Sequence, residues 1–227
     1  WIIWNANGVA TTQIFQLDKS YGADGMAVRN HVQKISELKG KTVAASAPGT
    51  APFFTLAWFL KKNGLSVKDV TVVNLEPAPA AQAFVAGQND AAMSYEPYLS
   101  TVRANPQAGK IIATTLDYPM IMDTFGCTPK FLAENPKAAR ALADSYFEAI
   151  DMIAKEPKRS FEIMGADVKQ FEASQKYLRW QDRAANRAFF AGPHAEFSRE
   201  AANLLLEIGI IKQIPDLSKL ADTRFIM

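Results

Sequence analysis

The chain has 227 residues, 48% of them apolar and 21% charged, with 25 basic and 23 acidic side chains and a formal net charge of +2. That composition fits one large globular domain or two small lobes, and it excludes disordered and fibrous chains. The near balance of charge argues against a nucleic-acid binder, and no stretch approaches the roughly 18 uninterrupted apolar residues of a membrane span.

The chain opens at Trp1, with no initiator methionine and no basic-then-apolar leader, so a segment is expected to have been removed from its front. Trp1–Trp4, Ile14–Leu17 and Gly25–Arg29 read as strands. Lys41–Ser46 reads as a buried strand, followed by Ala47-Pro48-Gly49-Thr50 and a helix. Thr50 can cap this helix, Pro52 falls in its first turn, Phe53, Leu56, Ala57 and Leu60 share one face, and Asn63-Gly64 ends it. Strands over Val70–Leu75, Ala91–Ser94 and Ile111–Thr115 then alternate with helices over Ala80–Ala86 and Tyr98–Ala104. This is the β-α-β alternation of a parallel α/β layer. From Asn135 the pattern turns helical to the end. Leu142, Tyr146, Ile150 and Ile153 form one apolar stripe, and Phe197, Ala201, Leu204, Leu205 and Ile208 form another after Pro193. Too few helices precede Lys41 to cover both faces of a parallel sheet, so a βαβ region upstream of Trp1 is expected to complete the second lobe.

A single cysteine, Cys127, excludes an internal disulfide framework and a thiolate metal cluster. His31 and His194 are the two histidines, both read as surface or capping residues, and this scarcity lowers the prior for hydrolysis. The sequence has no metal-ligand spacing, no GxxxxGK phosphate loop and no nucleophile elbow. No catalysis, cofactor or metal is expected.

Three runs together carry a resemblance: Ser20-Tyr21-Gly22-Ala23-Asp24-Gly25, then Ser36-Glu37-Leu38-Lys39-Gly40-Lys41-Thr42-Val43-Ala44, then Ala86-Gly87-Gln88-Asn89-Asp90-Ala91-Ala92 with Tyr95-Glu96-Pro97-Tyr98. In this order the chain resembles the substrate-binding proteins of ABC importers, in the branch that serves nitrate, sulfonates, taurine and thiamine precursors. The C-terminal run from Gly209 to Ile226 is similar to that family as well. The resemblance implies a type II periplasmic-binding-protein fold: two α/β lobes joined by two crossovers, with the front of lobe one missing. Lobe one would comprise residues 1–26 and 117–227, and lobe two residues 27–116. It also implies a monomer outside the cytoplasm, periplasmic or extracellular, held by a lipid anchor if the lost leader carried one. Its partners would be a small-molecule ligand and the importer's membrane subunits. Two rivals share the architecture. One is a pyrimidine-forming enzyme, whose cysteine-rich iron motif is missing here; the other is the effector domain of a transcription regulator, whose basic helix-turn-helix is not in these residues.

The residues themselves suggest a cleft chemistry. Ser46, Gly49 and Thr50 lie where a strand meets a helix N-terminus, a place that favours an anion. Asp24, Glu96 and Asp123 are carboxylates at expected crossings or strand ends; in apolar surroundings they require a cation or donors. Glu96 is the favoured ligand contact. Tyr95, Tyr21, Trp4, Phe53 and Trp180 are candidate stacking faces, and the Asn5 amide can reach the cleft if the first strand ends there. An anion-seeking end facing an acidic end suits a zwitterion or a nitrogen-containing ring.

Overall fold

A computed structural model describes residues 1–165 and 168–227. In chain order, helix α1 (Ile2–Ala6) and strand β1 (Thr12–Ser20) precede β2 (Asp24–Val28), β3 (Thr42–Ala45), α2 (Ala51–Lys62), β4 (Thr71–Asn74), α3 (Pro77–Val85), β5 (Ala91–Tyr95), α4 (Tyr98–Arg103) and β6 (Lys110–Thr114). Then follow β7 (Met122–Cys127), α5 (Pro129–Glu134), α6 (Pro136–Lys155), α7 (Pro157–Ile163), α8 (Val168–Gln175), β8 (Leu178–Trp180), α9 (Arg183–Phe190) and α10 (Pro193–Glu207). Among the described residues no helix is long and apolar enough to cross a membrane.

The chain divides into two compact units, Trp1–Lys19 with Met122–Met227 and Ser20–Ile121. The sequence reading set the crossings at 26/27 and 116/117; here they fall at Lys19/Ser20 and Ile121/Met122. The shift arises because β2 is a strand of the second unit, hydrogen-bonded to β5 on one side and β6 on the other.

That second unit is a five-stranded sheet in the order β4-β3-β5-β2-β6. β3 runs parallel to β4 and β5, but β2 runs antiparallel to both of its neighbours, so the sheet is mixed where an all-parallel one was expected. Met26, Ala27 and Val28 of β2 are fully buried, as a central strand covered on both faces must be. Alanines set how closely the layers approach. Ala27, Ala44 and Ala92 on the strands meet Ala80 and Ala81 on α3, and Phe84 fills the space they leave. Helix α2 begins as its sequence predicts, with Thr50 at the cap and Pro52 in the first turn, and it buries Phe53, Leu56, Ala57 and Leu60.

In the first unit, a three-stranded sheet in the order β7-β1-β8 carries the helices. Phe15 of β1 stacks between Phe125 (ring centroids 5.2 Å) and Tyr146 (5.0 Å), at the centre of a core shared with Ile14, Ala139, Ala143, Phe147 and Phe225. The fully buried Asn186 completes β1: its amide donates to Gln16 O (3.0 Å) and Gln181 O (3.0 Å), and its carbonyl accepts from Gln16 N (2.6 Å). Arg140, Arg183 and Arg187 donate to the backbone carbonyls of Phe225, Met227 and Ile226, which ties the C-terminal tail to α6 and α9.

Three expectations change here. Trp1–Trp4 forms a helical turn rather than a strand, because Trp1 Nε1 donates to Thr124 Oγ1 (2.6 Å) and its ring lies over Gly126, where a Cβ would come within 2.7 Å of it. That docking outweighs the strand propensity of an aromatic, β-branched run. The stretch after Asn135 is interrupted by β8, whose three residues are too few to show alternation. His194, expected at the surface, is buried against Phe189 (5.4 Å) and Phe190 (4.8 Å), and its Nε2 has no partner among the described residues.

Burial pushes the His194 pKa down from 6.5 to about 4. The folded state therefore holds the neutral ring, and stability present above pH 6.5 is lost as pH falls toward 4. Urea unfolding should show a loss of roughly 2–3 kcal/mol from this residue between pH 7 and pH 4.5. His194→Phe should remove that part of the pH dependence, and an unchanged slope in the variant would refute it.

Candidate functional site

The site candidate lies on one edge of the five-stranded sheet, outside the carboxyl ends of β3, β4 and β5, where α/β sheets characteristically hold ligands. The reversed β2 contributes the start of its strand to this edge, and its Asp24 is the register partner of Tyr95 at the end of β5. Ala44 pairs with Ala92, so Ser46 and Ala47 come level with Ser94 and Tyr95 two residues further along. Four strand ends thus place Glu76, Ser46, Tyr95 and Asp24 in a row.

Ser46 is buried, and its hydroxyl donates to Glu76 Oε2 (3.2 Å). The turn that follows needs Gly49, whose φ of +92° lies in the left-handed region, while the space beside its Cα is open. Thr50 Oγ1 donates to Ala47 O (2.8 Å) and accepts from Phe53 N (3.4 Å), so the hydroxyl works as a helix cap. At the start of α2, Pro52 has no N–H, Phe53 and Phe54 donate to the Thr50 hydroxyl and carbonyl, and Thr50 N donates to Ala47 O (3.2 Å), which leaves the Ala51 amide in the positive field of the helix dipole.

Beside this turn, the Tyr95 and Tyr98 rings meet at 5.6 Å between centroids and 48° between planes. Partial burial, followed by the charge effects of Tyr98, Glu76 and Asp24, holds the Tyr95 phenol above its usual pKa. The edge therefore pairs an N–H-bearing helix start with an aromatic and acidic rim. It can hold an anionic group at one end and a cation or N–H donor at the other.

Glu96, favoured from the sequence as the ligand's partner, is already engaged. Its side chain is 4% exposed; it pairs with Arg103 and accepts from Ser100 N (3.1 Å) and Ser100 Oγ (2.7 Å). The guanidinium takes the place expected for the ligand's cation, and the carboxylate serves the first turn of α4. Tyr21 stands exposed in the loop before β2, and Phe53 belongs to the core. Asn5 and Asp123 belong to the first unit. The Asn5 amide donates to Thr11 O (3.0 Å), Thr11 Oγ1 (2.7 Å) and Trp1 O (3.1 Å), which closes its own loop. Asp123 is exposed on β7 opposite Asp18 of β1. Trp180 donates from Nε1 to Gln175 Oε1 (2.6 Å) and packs on the core of the first unit. The sequence reading missed Glu76 and Tyr98. Of the chain's three Glu-Pro pairs, Glu76-Pro77 and Glu96-Pro97 each lie at a strand-to-helix junction, while Glu156-Pro157 joins two helices.

Comparison with known proteins gives the family and the fold. The profile described as the NMT1-like family matches residues 2–164. Proteins of Brucella abortus described as binding proteins, with no ligand in their name, are 25% identical over 155 residues, which is 67% of this chain and 48% of theirs. The chain thus spans about half the length of these curated relatives. The taurine-binding periplasmic protein of Escherichia coli is 24% identical over 236 residues, covering 94% of this chain and 71% of that protein. Among solved structures, the periplasmic aliphatic sulphonate binding protein SsuA of Escherichia coli superposes with a TM-score of 0.74 at 18% identity, over 96% of this chain and 70% of that one. The likeness shows the fold, the type II periplasmic-binding-protein fold. That fold also carries a desulfurization enzyme, DSZB, with a TM-score of 0.60 at 14% identity over 95% of this chain and 78% of that one. Function must therefore be argued from the site and from sequence relatives rather than from the fold.

Two substitutions test the roles assigned here. Thr50→Ala should lower stability by about 1 kcal/mol through loss of the α2 cap, read by urea unfolding with circular dichroism. Glu96→Gln should destabilise by roughly 1–3 kcal/mol. It should also leave ligand affinity within about twofold in calorimetric titration, and a loss of a decade or more would return Glu96 to the site.

Proposed function

Because the chain belongs to the NMT1-like family, we propose that it is the solute-capturing component of an ABC importer, working in the periplasm on small sulfonates of the taurine type. The observation that supports this reading is the sheet edge of the second unit, where the Gly49 turn follows β3, Glu76 follows the neighbouring β4, and β5 ends at Tyr95 opposite Asp24, the first residue of β2. A sulfonate offers oxygens that can accept from the Gly49 and Ala51 amides around the start of α2, aided by the dipole of a twelve-residue helix. The acidic rim gives an amine or N–H group at the other end a favourable field, so a zwitterion fits better than nitrate or a plain dianion. The taurine-binding relative, matched over most of this chain, supports the same ligand class. The relatives named are binding proteins, and the proposed role is capture without chemistry.

Mechanistically, the chain's own groups do three things. The Gly49 turn brings backbone close to the anion, the Thr50 cap holds the helix start in place, and Ser46 orients Glu76 through its hydroxyl. Each acts on a group that the ligand brings with it, so binding requires no bond to be made or broken.

Calorimetric titration of the full-length protein with taurine, ethanesulfonate, nitrate and sulfate tests the reading. Taurine should saturate one site with a Kd near or below about 1 µM, corresponding to roughly 8 kcal/mol of binding energy, and should be recovered unchanged. Nitrate or sulfate saturating the site while both sulfonates give no heat would overturn it, as would turnover of the sulfonate.

A further inference from the structure

Glu76 is the N-cap of α3, a position where a polar side chain normally accepts from the second or third amide of its own helix. Here the sequence Glu76-Pro77-Ala78-Pro79 puts prolines first and third, and a proline has no N–H to give. The Glu76 side chain makes no capping bond, although its carbonyl accepts the first helical bond from Ala80 N (2.8 Å). Backbone and prolines start this helix, and the carboxylate is available to a group outside it.

What engages the carboxylate comes from the neighbouring strand. Ala45 of β3 pairs with Asn74 of β4, and Leu75 N donates to Ala45 O (3.0 Å), so Ser46 comes level with the residues just before α3. The buried Ser46 hydroxyl donates to Glu76 Oε2 (3.2 Å), and among the described residues Ser46 is the one hydrogen-bond partner of that carboxylate. A carboxylate has about four lone-pair positions, so acceptor capacity remains. Glu96 differs, since Arg103 and both donors of Ser100 are bonded to it. Glu76 is exposed, and its charge reaches the Tyr95 phenol at the end of β5, so it acts on the ligand edge. Ser46 also leads into the Gly49 turn, and one buried residue thus links the turn that can meet an anion to the carboxylate that can meet a donor.

We infer that Glu76, held in place by Ser46, is the residue that selects a ligand carrying an amine. The inference rests on the sulfonate reading above and assigns the donor-bearing end of that ligand to one side chain, with Ser46 as its positioning residue.

The test is calorimetric titration of the full-length protein with taurine and with ethanesulfonate, which lacks the amine. The wild type should bind taurine at least about tenfold more tightly than ethanesulfonate. In Glu76→Gln, which keeps the shape and loses the charge, that ratio should fall below about threefold. Ser46→Ala should lower the ratio to a smaller extent, whereas a merely structural loss would weaken both ligands alike and keep it. Circular dichroism checks the fold of each variant. Asp24→Asn is the competing assignment. A wild type without preference, or a preference that survives in Glu76→Gln and disappears in Asp24→Asn, would overturn the inference, while ethanesulfonate binding leaves the sulfonate reading standing. If neither probe binds, the sulfonate reading fails and this inference fails with it.

Discussion

The candidate site depends on the reversal of one strand. β2 enters its sheet between β5 and β6 and runs against both, so the start of β2 comes to lie with the ends of β3, β4 and β5. If β2 ran the other way, Val28 would stand at that edge and Asp24 at the opposite one. The reversal is held firmly in place. A five-residue ladder binds β2 to β5, the strand is buried on both faces, and Gly25 lets β6 come close: a Cβ there would lie 2.9 Å from Ala113 O. The backbone that must pack most tightly is the backbone that presents the acidic side of the site.

Around that edge, several carboxylates serve the fold. Glu96, with its side chain buried, has Arg103 and Ser100. Asp90 accepts from both the amide and the hydroxyl of Thr42 at the far end of β3, which holds its carboxyl below the usual range. Each of these is matched locally, as a carboxylate withdrawn from water must be. Glu76, which accepts from Ser46, and Asp24 also act on Tyr95, whose phenol their charges help to hold above its usual pKa. The same residue type thus has two roles, decided by what lies within hydrogen-bond reach.

The first unit solves its polar problems with side chains that imitate backbone. Asn186 supplies both a donor and an acceptor to Gln16, as a neighbouring strand would, and three arginines collect the carbonyls of the C-terminal tail. Buried amides and carbonyls without strand partners are costly, and these side chains meet that cost where the three-stranded sheet ends.

Much of the layer pattern was legible because it is local. Thr50, Pro52 and Asn63-Gly64 mark α2 by capping and turn chemistry that acts within a few residues, and the core faces of α2 and α10 follow from helical spacing; in α6 the expected stripe of Leu142, Tyr146, Ile150 and Ile153 gives way to Ala139, Ala143, Phe147 and Ile150, with Leu142 exposed. The strand-to-helix turn at Ser46–Thr50 was visible for the same reason. Strand direction was not, since an alternating or apolar run reads the same in either sense, and only pairing with β5 and β6 decided how β2 runs. Trp1–Trp4 became helix through contacts with Thr124 and Gly126, more than 120 positions away. Glu96 shows the limit most clearly. A carboxylate at a strand end carries no mark of whether its partner will be a ligand or its own Arg103, seven residues on, because that depends on where a long flexible side chain finds its lowest energy once the helix has formed. Local chemistry determined most of the elements and the strand-to-helix turn at Ser46–Thr50; the tertiary structure decided how the charges pair, because pairing is a matter of distances that only the folded chain sets.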